Sequence, residues 1–194
     1  MPHVPVGELA PSFRLPSAQG TDVALEDYRG SRSLVVWFTK GMGCPFCRSQ
    51  MSQLARAYQD IRKLGAEVIE ITVSPPQQAK LYARKFTLPF PYLCDPDRRV
   101  RAEWGLELRK HGPLYYASNL VKGMTSPKVP NDYGDFMPPL GEFSGILGDD
   151  DMGLFLVDRQ GLIRYATAGS YMEDKTAKPI PGNEEILGEL AKLA

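Results

Sequence analysis

The chain has 194 residues, of which 43% are hydrophobic, and its 23 lysines and arginines balance its 23 aspartates and glutamates. This length and composition predict a single domain, residues 1–194, with enough apolar side chains to fill a sizeable core. Because the net charge is zero and no long run of one sign occurs, the composition gives no electrostatic reason to bind nucleic acid or an anionic membrane.

The N-terminal sequence and the number of cysteines indicate the cellular compartment of the protein. Residues Met1–Gly7 show neither a basic leader nor an apolar stretch that ends in small residues, and nowhere do about 18 apolar residues run together. We therefore expect a soluble protein of the cytoplasm. Three cysteines, Cys44, Cys47 and Cys94, are too few for a disulfide framework, so the close pair indicates metal or redox chemistry.

The first part of the chain predicts a hairpin, a strand and a helix in that order. The turn-rich segment 10–25 predicts a short β-hairpin, and the uninterrupted apolar run Leu34–Phe38 predicts a central strand covered on both faces. Apolar residues from Met51 to Leu64 then fall at helical spacing, and Gly65 supplies a C-terminal stop. The close cysteine pair therefore lies at the N-terminus of a helix.

The rest of the chain continues the α/β pattern around an irregular segment. Residues 68–73 predict a second core strand, and residues 77–86 predict a helix. Residues 108–151 are rich in proline, glycine, serine and asparagine, so we interpret them as an insertion loop. Residues 154–166 predict an antiparallel hairpin, and a final helix begins with Asn183 as its N-cap.

The motif Cys44-Pro45-Phe46-Cys47 carries the predicted chemistry. A helix N-terminus stabilises a thiolate and lowers a cysteine pKa from about 8.5, and proline suits the first helical turn. The two-residue spacing lets the second sulfur attack a mixed disulfide formed by the first, which releases the substrate and leaves an intramolecular disulfide. The motif therefore predicts a redox-active dithiol that needs no cofactor.

The cysteine pair has two other interpretations, a zinc site and inert structural cysteines. A structural zinc site needs about four ligands, commonly arranged as two close pairs. The remaining candidates are Cys94, His3 and His111, and none of them stands in a paired spacing. The redox interpretation is therefore favoured over both.

Several neighbouring residues have two interpretations each. Lys40 and Arg48 either lower the thiolate pKa or are solvated surface charges. Cys94 is either a distal resolving thiol or a small buried hydrophobic residue, and the second role is favoured. The acidic run at 149–151 lacks the ligand pattern of a calcium loop, so we expect a solvated loop there.

The insertion also contains His111 and the pair Tyr115-Tyr116. They either lie over the dithiol or contact another subunit, and the sequence leaves these alternatives open.

With the strand, dithiol and helix in place, the chain resembles the peroxiredoxin family (alkyl hydroperoxide reductase/thiol-specific antioxidant, AhpC/TSA) of the thioredoxin superfamily. Residues 6–16 are similar to that family's opening, 91–97 to its segment before the late helix, and 154–164 to its closing hairpin. The resemblance implies an α/β thioredoxin-like fold with a central mixed sheet flanked by helices, an N-terminal β-hairpin and a long insertion before the last hairpin. It also implies a thioredoxin- or glutathione-type thiol reductant and, by analogy, a homodimer.

The active-site motif departs from the family pattern P-x-x-x-T-x-x-C. Counting without gaps from Phe38 places Lys40 at the proline, Cys44 at the threonine and Cys47 at the peroxide-reacting cysteine. Where the family has an arginine that stabilises peroxide and thiolate, this chain has Met152-Gly153, which also lacks the proline that thioredoxins hold in cis.

These departures leave competing hypotheses. In the first, Cys44 attacks a protein or small-molecule disulfide and Cys47 resolves, which makes the chain a thiol-disulfide oxidoreductase. In the second, Cys47 reduces hydrogen peroxide or an organic hydroperoxide, and Cys44 condenses with the resulting sulfenic acid. The missing arginine favours the first, with Arg48 as a candidate substitute. In the third, the fold is a redox-sensitive binding module whose insertion carries the partner surface.

Overall fold

The computed structural model describes residues 4–109, 114, 132–134, 149–169 and 181–193. Within these residues, one five-stranded mixed sheet forms the centre and two short two-stranded sheets lie beside it. The strands are β1 Arg14–Pro16, β2 Asp22–Ala24, β3 Ser33–Thr39, β4 Ala66–Thr72, β5 Tyr92–Cys94, β6 Leu108–Arg109, β7 Asp149–Asp150, β8 Met152–Val157 and β9 Ile163–Gly169. The α-helices are α1 Pro45–Lys63, α2 Pro76–Lys85, α3 Arg99–Glu103 and α4 Asn183–Ala191.

Strand β3 lies at the middle of the central sheet, which has the order β5-β4-β3-β8-β9. It pairs parallel with β4 and antiparallel with β8, and all seven of its residues are buried. The mixed α/β fold class and the double-covered central strand predicted from the sequence are thereby confirmed. Because β3 to β5 precede residues 108–151 and β8 and β9 follow them, both parts of the chain build the same sheet.

The sheet has an apolar core on each face. On one face, side chains of α1, α2 and α4 pack on alternate strand residues such as Trp37 and Leu154. On the other face, the β1–β2 hairpin and α3 enclose an aromatic cluster, in which the ring centroid of Trp104 lies 5.2 Å from that of Phe38 and 4.9 Å from that of Phe155. No helix within the described residues has both the length and the apolar character needed to cross a membrane.

Two local expectations are wrong. Gly182, not Asn183, is the N-cap of α4, because the Asn183 side chain donates a hydrogen bond to the carbonyl of Gln53 (2.9 Å) and so ties α4 to α1. The acidic run is not a solvated loop: its first two residues form β7, paired with β6, and Asp151 is buried. The two ends of the predicted insertion therefore pair with each other. The charges of the acidic run do not indicate this pairing, because backbone groups make it.

The turn between β3 and α1 is packed tightly against the ends of β4 and β5. Gly41 has φ of +95°, and a Cβ atom there would lie 2.5 Å from Thr72 Oγ1 and 2.8 Å from Ser74 Oγ. The amide of the next residue, Met42, donates a hydrogen bond to Tyr92 Oη (3.2 Å). Only glycine fits this position, both in backbone conformation and in space.

We predict that Gly41→Ala destabilises the fold more than Gly20→Ala does. Both positions have positive φ, so each alanine costs about 1 kcal/mol or more in backbone strain, but only Gly41 meets neighbouring atoms. The clash should add about 1–3 kcal/mol. Urea unfolding of the two variants measures the difference, and equal free energies of unfolding would contradict the packing described here.

Candidate active site

The dithiol lies where β3 ends and α1 begins. Cys44 is the N-cap of α1, with φ of −81° and ψ of 120°, and Cys47 lies in the first helical turn. The amide of Arg48 donates to the Cys44 carbonyl (3.0 Å), which closes that turn. Both cysteines are free thiols, so the structure shows the reduced dithiol at a helix N-terminus, as the motif predicts.

The surroundings of Cys44 favour its thiolate. The Cys47 thiol acts as a hydrogen-bond donor to the Cys44 sulfur and, against the effect of burial, lowers the pKa of Cys44 to about 6. The amides of Cys47 and Phe46 and the charge of Lys40 lower the pKa further. These amides act without a capping hydrogen bond of standard geometry, so they are weak donors to the sulfur. These surroundings therefore favour the ionised form of Cys44 at neutral pH.

The surroundings of Cys47 favour its protonated form. Cys47 is 0% exposed, against 6% for Cys44, and this burial raises the pKa of Cys47 well above its ordinary value. Its thiol lies 3.8 Å from the sulfur of Met152, an uncharged neighbour that gives no support to a thiolate. The two sulfurs therefore differ: their surroundings lower the pKa of Cys44 to about 6 and raise the pKa of Cys47 well above its ordinary value.

Lys40 and Arg48 are both buried, so of their two interpretations the solvated surface charge is wrong. Lys40 is among the groups that lower the pKa of Cys44. Arg48 donates through Nη1 to the carbonyl of Met42 (2.7 Å) and more weakly to that of Gly43 (3.3 Å). Its guanidinium thus holds the turn that presents Cys44.

Two buried side chains to which the sequence interpretation gave no role also shape the site. Arg101 donates to the carbonyls of Thr39 and Asp151, and so joins the end of β3 to the residue before β8. Glu70 is a carboxyl group in the otherwise apolar centre of β4, on the face that α1 covers. A charged residue inside an apolar strand was the signal that could have singled out Glu70.

The remaining candidates are Cys94 in β5 and several residues outside the described part of the chain. Cys94 is buried in β5, which confirms its predicted burial, and desolvation raises its pKa to about 11. His3, His111, Tyr115 and Tyr116 lie outside the described residues. Among the residues that the structure describes, no three histidine, cysteine, aspartate or glutamate side chains are grouped so as to hold a metal ion.

We predict that Lys40→Gln raises the pKa of Cys44, because the substitution removes a cation that favours the thiolate. At pH 6, where about half of Cys44 is ionised in the parent protein, the thiolate should become the minority form. Titration of the thiolate ultraviolet absorbance measures the shift. Lys63→Gln, at the exposed far end of α1, is the matched control and should leave the titration unchanged. An unchanged Lys40→Gln titration would show that Lys40 has no electrostatic role.

Solved structures share this fold at low sequence identity. Peroxidoxin BcpB from Mycobacterium tuberculosis has a TM-score of 0.67 at 15% identity, with 99% of each chain covered. PrxQ from Xylella fastidiosa also has a TM-score of 0.67, at 14% identity, with 98% of this chain and 97% of that chain covered. A putative thiol:disulfide interchange protein DsbE from Chlorobium tepidum has a TM-score of 0.59 at 18% identity, over 96% and 99% of the two chains.

The chain is also similar in sequence to curated proteins. The chloroplastic peroxiredoxin Q of Gentiana triflora is 33% identical over 108 residues, which cover 56% of this chain and 49% of the relative. A putative peroxiredoxin of Mycobacterium tuberculosis is 36% identical over 99 residues, or 51% of this chain and 62% of the relative. The matched regions thus span about half to three fifths of these relatives. The AhpC/TSA family model matches residues 6–166. The chain therefore belongs to the AhpC/TSA family, whose peroxiredoxins are oxidoreductases that act through redox-active cysteines.

Proposed function

We propose that this protein is a thiol-disulfide oxidoreductase in which Cys44 attacks and Cys47 resolves. The observation that carries the proposal is the different placement of the two sulfurs, since Cys44 is the N-cap residue of α1 whereas Cys47 lies inside the first turn and is 0% exposed. The pKa of Cys44 is lowered to about 6 by its hydrogen bond from Cys47, whereas burial raises the pKa of Cys47. Since the thiolate is the nucleophile in exchange, the first attack falls to Cys44.

The position of Met152 supports the same assignment. By the family resemblance, this residue stands where peroxiredoxins have an arginine that stabilises peroxide and thiolate. In the structure its uncharged sulfur faces Cys47, and the candidate substitute Arg48 donates to carbonyls of the Gly41–Cys44 turn. Within the described residues, Met152 therefore offers an anionic Cys47 no positive charge in place of that arginine.

The proposed cycle needs only the two sulfurs. The Cys44 thiolate attacks a substrate disulfide, and one substrate sulfur leaves as a thiolate while the other stays bound to Cys44. Cys47 then attacks Cys44, so that the second substrate sulfur leaves and the Cys44–Cys47 disulfide remains. The substrate gains the two electrons that the dithiol loses.

The external partners follow from this chemistry. We propose that a thioredoxin- or glutathione-type thiol returns the disulfide to the dithiol in a reducing compartment such as the cytoplasm. No cofactor enters this cycle. A homodimer stays a prediction by analogy with the family.

A thiol peroxidase is the second candidate, and family membership favours it, since the curated relatives are peroxiredoxins. In this cycle the Cys47 thiolate attacks the peroxide, the O–O bond breaks, and an alcohol or water leaves. Cys44 then condenses with the Cys47 sulfenic acid and releases water to form the same disulfide. The two candidates share both residues and differ in which sulfur reacts first.

We predict that the single-serine variants separate the candidates. With glutathione disulfide, Cys47→Ser should accumulate a mixed disulfide on Cys44, because the resolving sulfur is missing. Cys44→Ser should lower the rate of disulfide reduction about 100-fold or more, as loss of an attacking group does. Intact-mass spectrometry and stopped-flow kinetics measure the two effects. Cys94→Ala is the matched control and should change neither.

The same variants identify the peroxidase outcome. Rapid oxidation of Cys44→Ser by hydrogen peroxide, with sulfenic acid trapped on Cys47, would overturn the disulfide assignment in favour of the peroxidase. If neither disulfides nor peroxides are turned over, although the dithiol equilibrates with a redox buffer, the protein is a redox-sensitive binding module instead.

A further inference from the structure

Three buried sulfur atoms meet at the start of α1. The Cys47 sulfur lies 3.8 Å from the Met152 sulfur, and a hydrogen bond joins the Cys47 thiol to the sulfur of Cys44. The exposed fractions of the three residues are 6% for Cys44, 0% for Cys47 and 4% for Met152. Cys47 therefore contacts both other sulfurs, and the group is shielded from water.

The position of Met152 is set by the central sheet. Met152 is the first residue of β8, and its Cα pairs with that of Gly169 on β9. The next residue, Gly153, pairs with Phe38 on β3, the strand that precedes the dithiol. The thioether is therefore held beside the dithiol by paired strands, which position a side chain more precisely than a loop does.

The three sulfurs form a set of soft ligands. Thiolate and thioether sulfurs favour Cu(I), zinc and iron–sulfur clusters. Structural zinc sites and iron–sulfur clusters take about four ligands, mostly thiolates and imidazoles, whereas this group offers two thiolates and one thioether. Cu(I) forms stable complexes with fewer ligands, all of which are sulfur. Cu(I) is therefore the ion that this set of ligands suits.

The distance between the Cys47 and Met152 sulfurs fits such an ion. Zn²⁺, which has the same d¹⁰ electron configuration as Cu(I), makes bonds of about 2.3 Å to thiolate sulfur. With bonds of that length and angles of about 120°, two ligand sulfurs of a three-coordinate ion lie about 4 Å apart. The observed separation of 3.8 Å is close to this value. An ion therefore fits between the two side chains with little movement of either.

The charges around the dithiol also suit this complex. Two thiolates bring two negative charges and Cu(I) brings one positive charge, so the complex carries one net negative charge. The N-terminus of α1, where Cys44 is the N-cap, favours a negative group. The charge of Lys40, a buried residue, acts on Cys44 in the same sense. The helix terminus and Lys40 therefore offset the charge of the complex.

We propose that the reduced protein binds one Cu(I) ion through the sulfurs of Cys44, Cys47 and Met152. Two thiolate bonds and one thioether bond to the ion form, the thiol protons leave to solvent, and the ion keeps its oxidation state. Formation of the Cys44–Cys47 disulfide removes both thiolates, so a substrate disulfide that oxidises the dithiol releases the ion. The proposal does not rest on the proposed function, since either candidate reaction uses the same reduced dithiol.

The experiment is an anaerobic competition for Cu(I) between the reduced full chain and bathocuproine disulfonate, a chelator whose Cu(I) complex is coloured. The parent protein should remove one Cu(I) per chain from the chelator, and the protein with a Cys44–Cys47 disulfide should remove none. Cys44→Ser and Cys47→Ser should each weaken binding about 100-fold or more, because each loses a thiolate ligand. Cys94→Ala should bind as the parent does.

Met152→Leu separates this site from a dithiol that binds copper without help. The substitution conserves volume, so the fold tolerates it, and it should weaken Cu(I) binding about tenfold or more. Met51→Leu is the matched control, because Met51 is also 0% exposed in the same core and lies one turn after Cys47. X-ray absorption of the Cu(I) protein should show three sulfur neighbours in the parent and in Met51→Leu, and two in Met152→Leu.

Each outcome decides the proposal. A parent protein that removes no Cu(I) from the chelator overturns it, and so does loss of binding in Cys94→Ala. Equal affinities of the parent and Met152→Leu, or an equal loss in Met51→Leu, refute Met152 as a ligand. Should Met152→Leu fail to fold, the X-ray absorption of the parent decides: three sulfur neighbours support the site, and two refute it.

Discussion

A proton held between two sulfurs is the interaction on which the rest of the site depends. Two neighbouring thiolates in a buried site repel each other strongly, so one thiol of the pair ionises and the environment selects which one. Cys44 is the favoured anion because it receives the Cys47 hydrogen bond at the N-cap position of α1, whereas Cys47 lies wholly within the core. The direction of the proposed chemistry follows from this selection.

The scaffold maintains this asymmetry through the turn that joins β3 to α1. Gly41 allows the turn to approach the ends of β4 and β5, where the Tyr92 hydroxyl accepts a hydrogen bond from the Met42 amide. Arg48 binds the carbonyls of the turn from the helix side, and Arg101 joins the end of β3 to the residue before β8. Buried polar contacts thus position the two sulfurs. Removal of one partner would leave a buried polar group without a hydrogen bond, which costs free energy.

The parts of the structure that follow local sequence patterns were predictable, and the parts that depend on long-range contacts were not. The apolar run around Val36 and the helical spacing after Cys47 are local signals, and they place the dithiol at a helix N-terminus as the structure does. The burial of Lys40 and the contact of Met152 with Cys47 depend on residues distant along the chain. The same holds for the surroundings of Glu70, since Trp37 and Tyr92 lie beside it only after β3, β4 and β5 have paired.

The measurement that tests the account most directly is site-resolved alkylation of the native reduced protein across a range of pH. Mass spectrometry of the peptides separates the two cysteines of the motif. The account predicts that iodoacetamide modifies Cys44 first, with a midpoint near pH 6, while Cys47 stays unmodified. Modification of Cys47 first, or a Cys44 midpoint at the ordinary cysteine value of about 8.5, would contradict it.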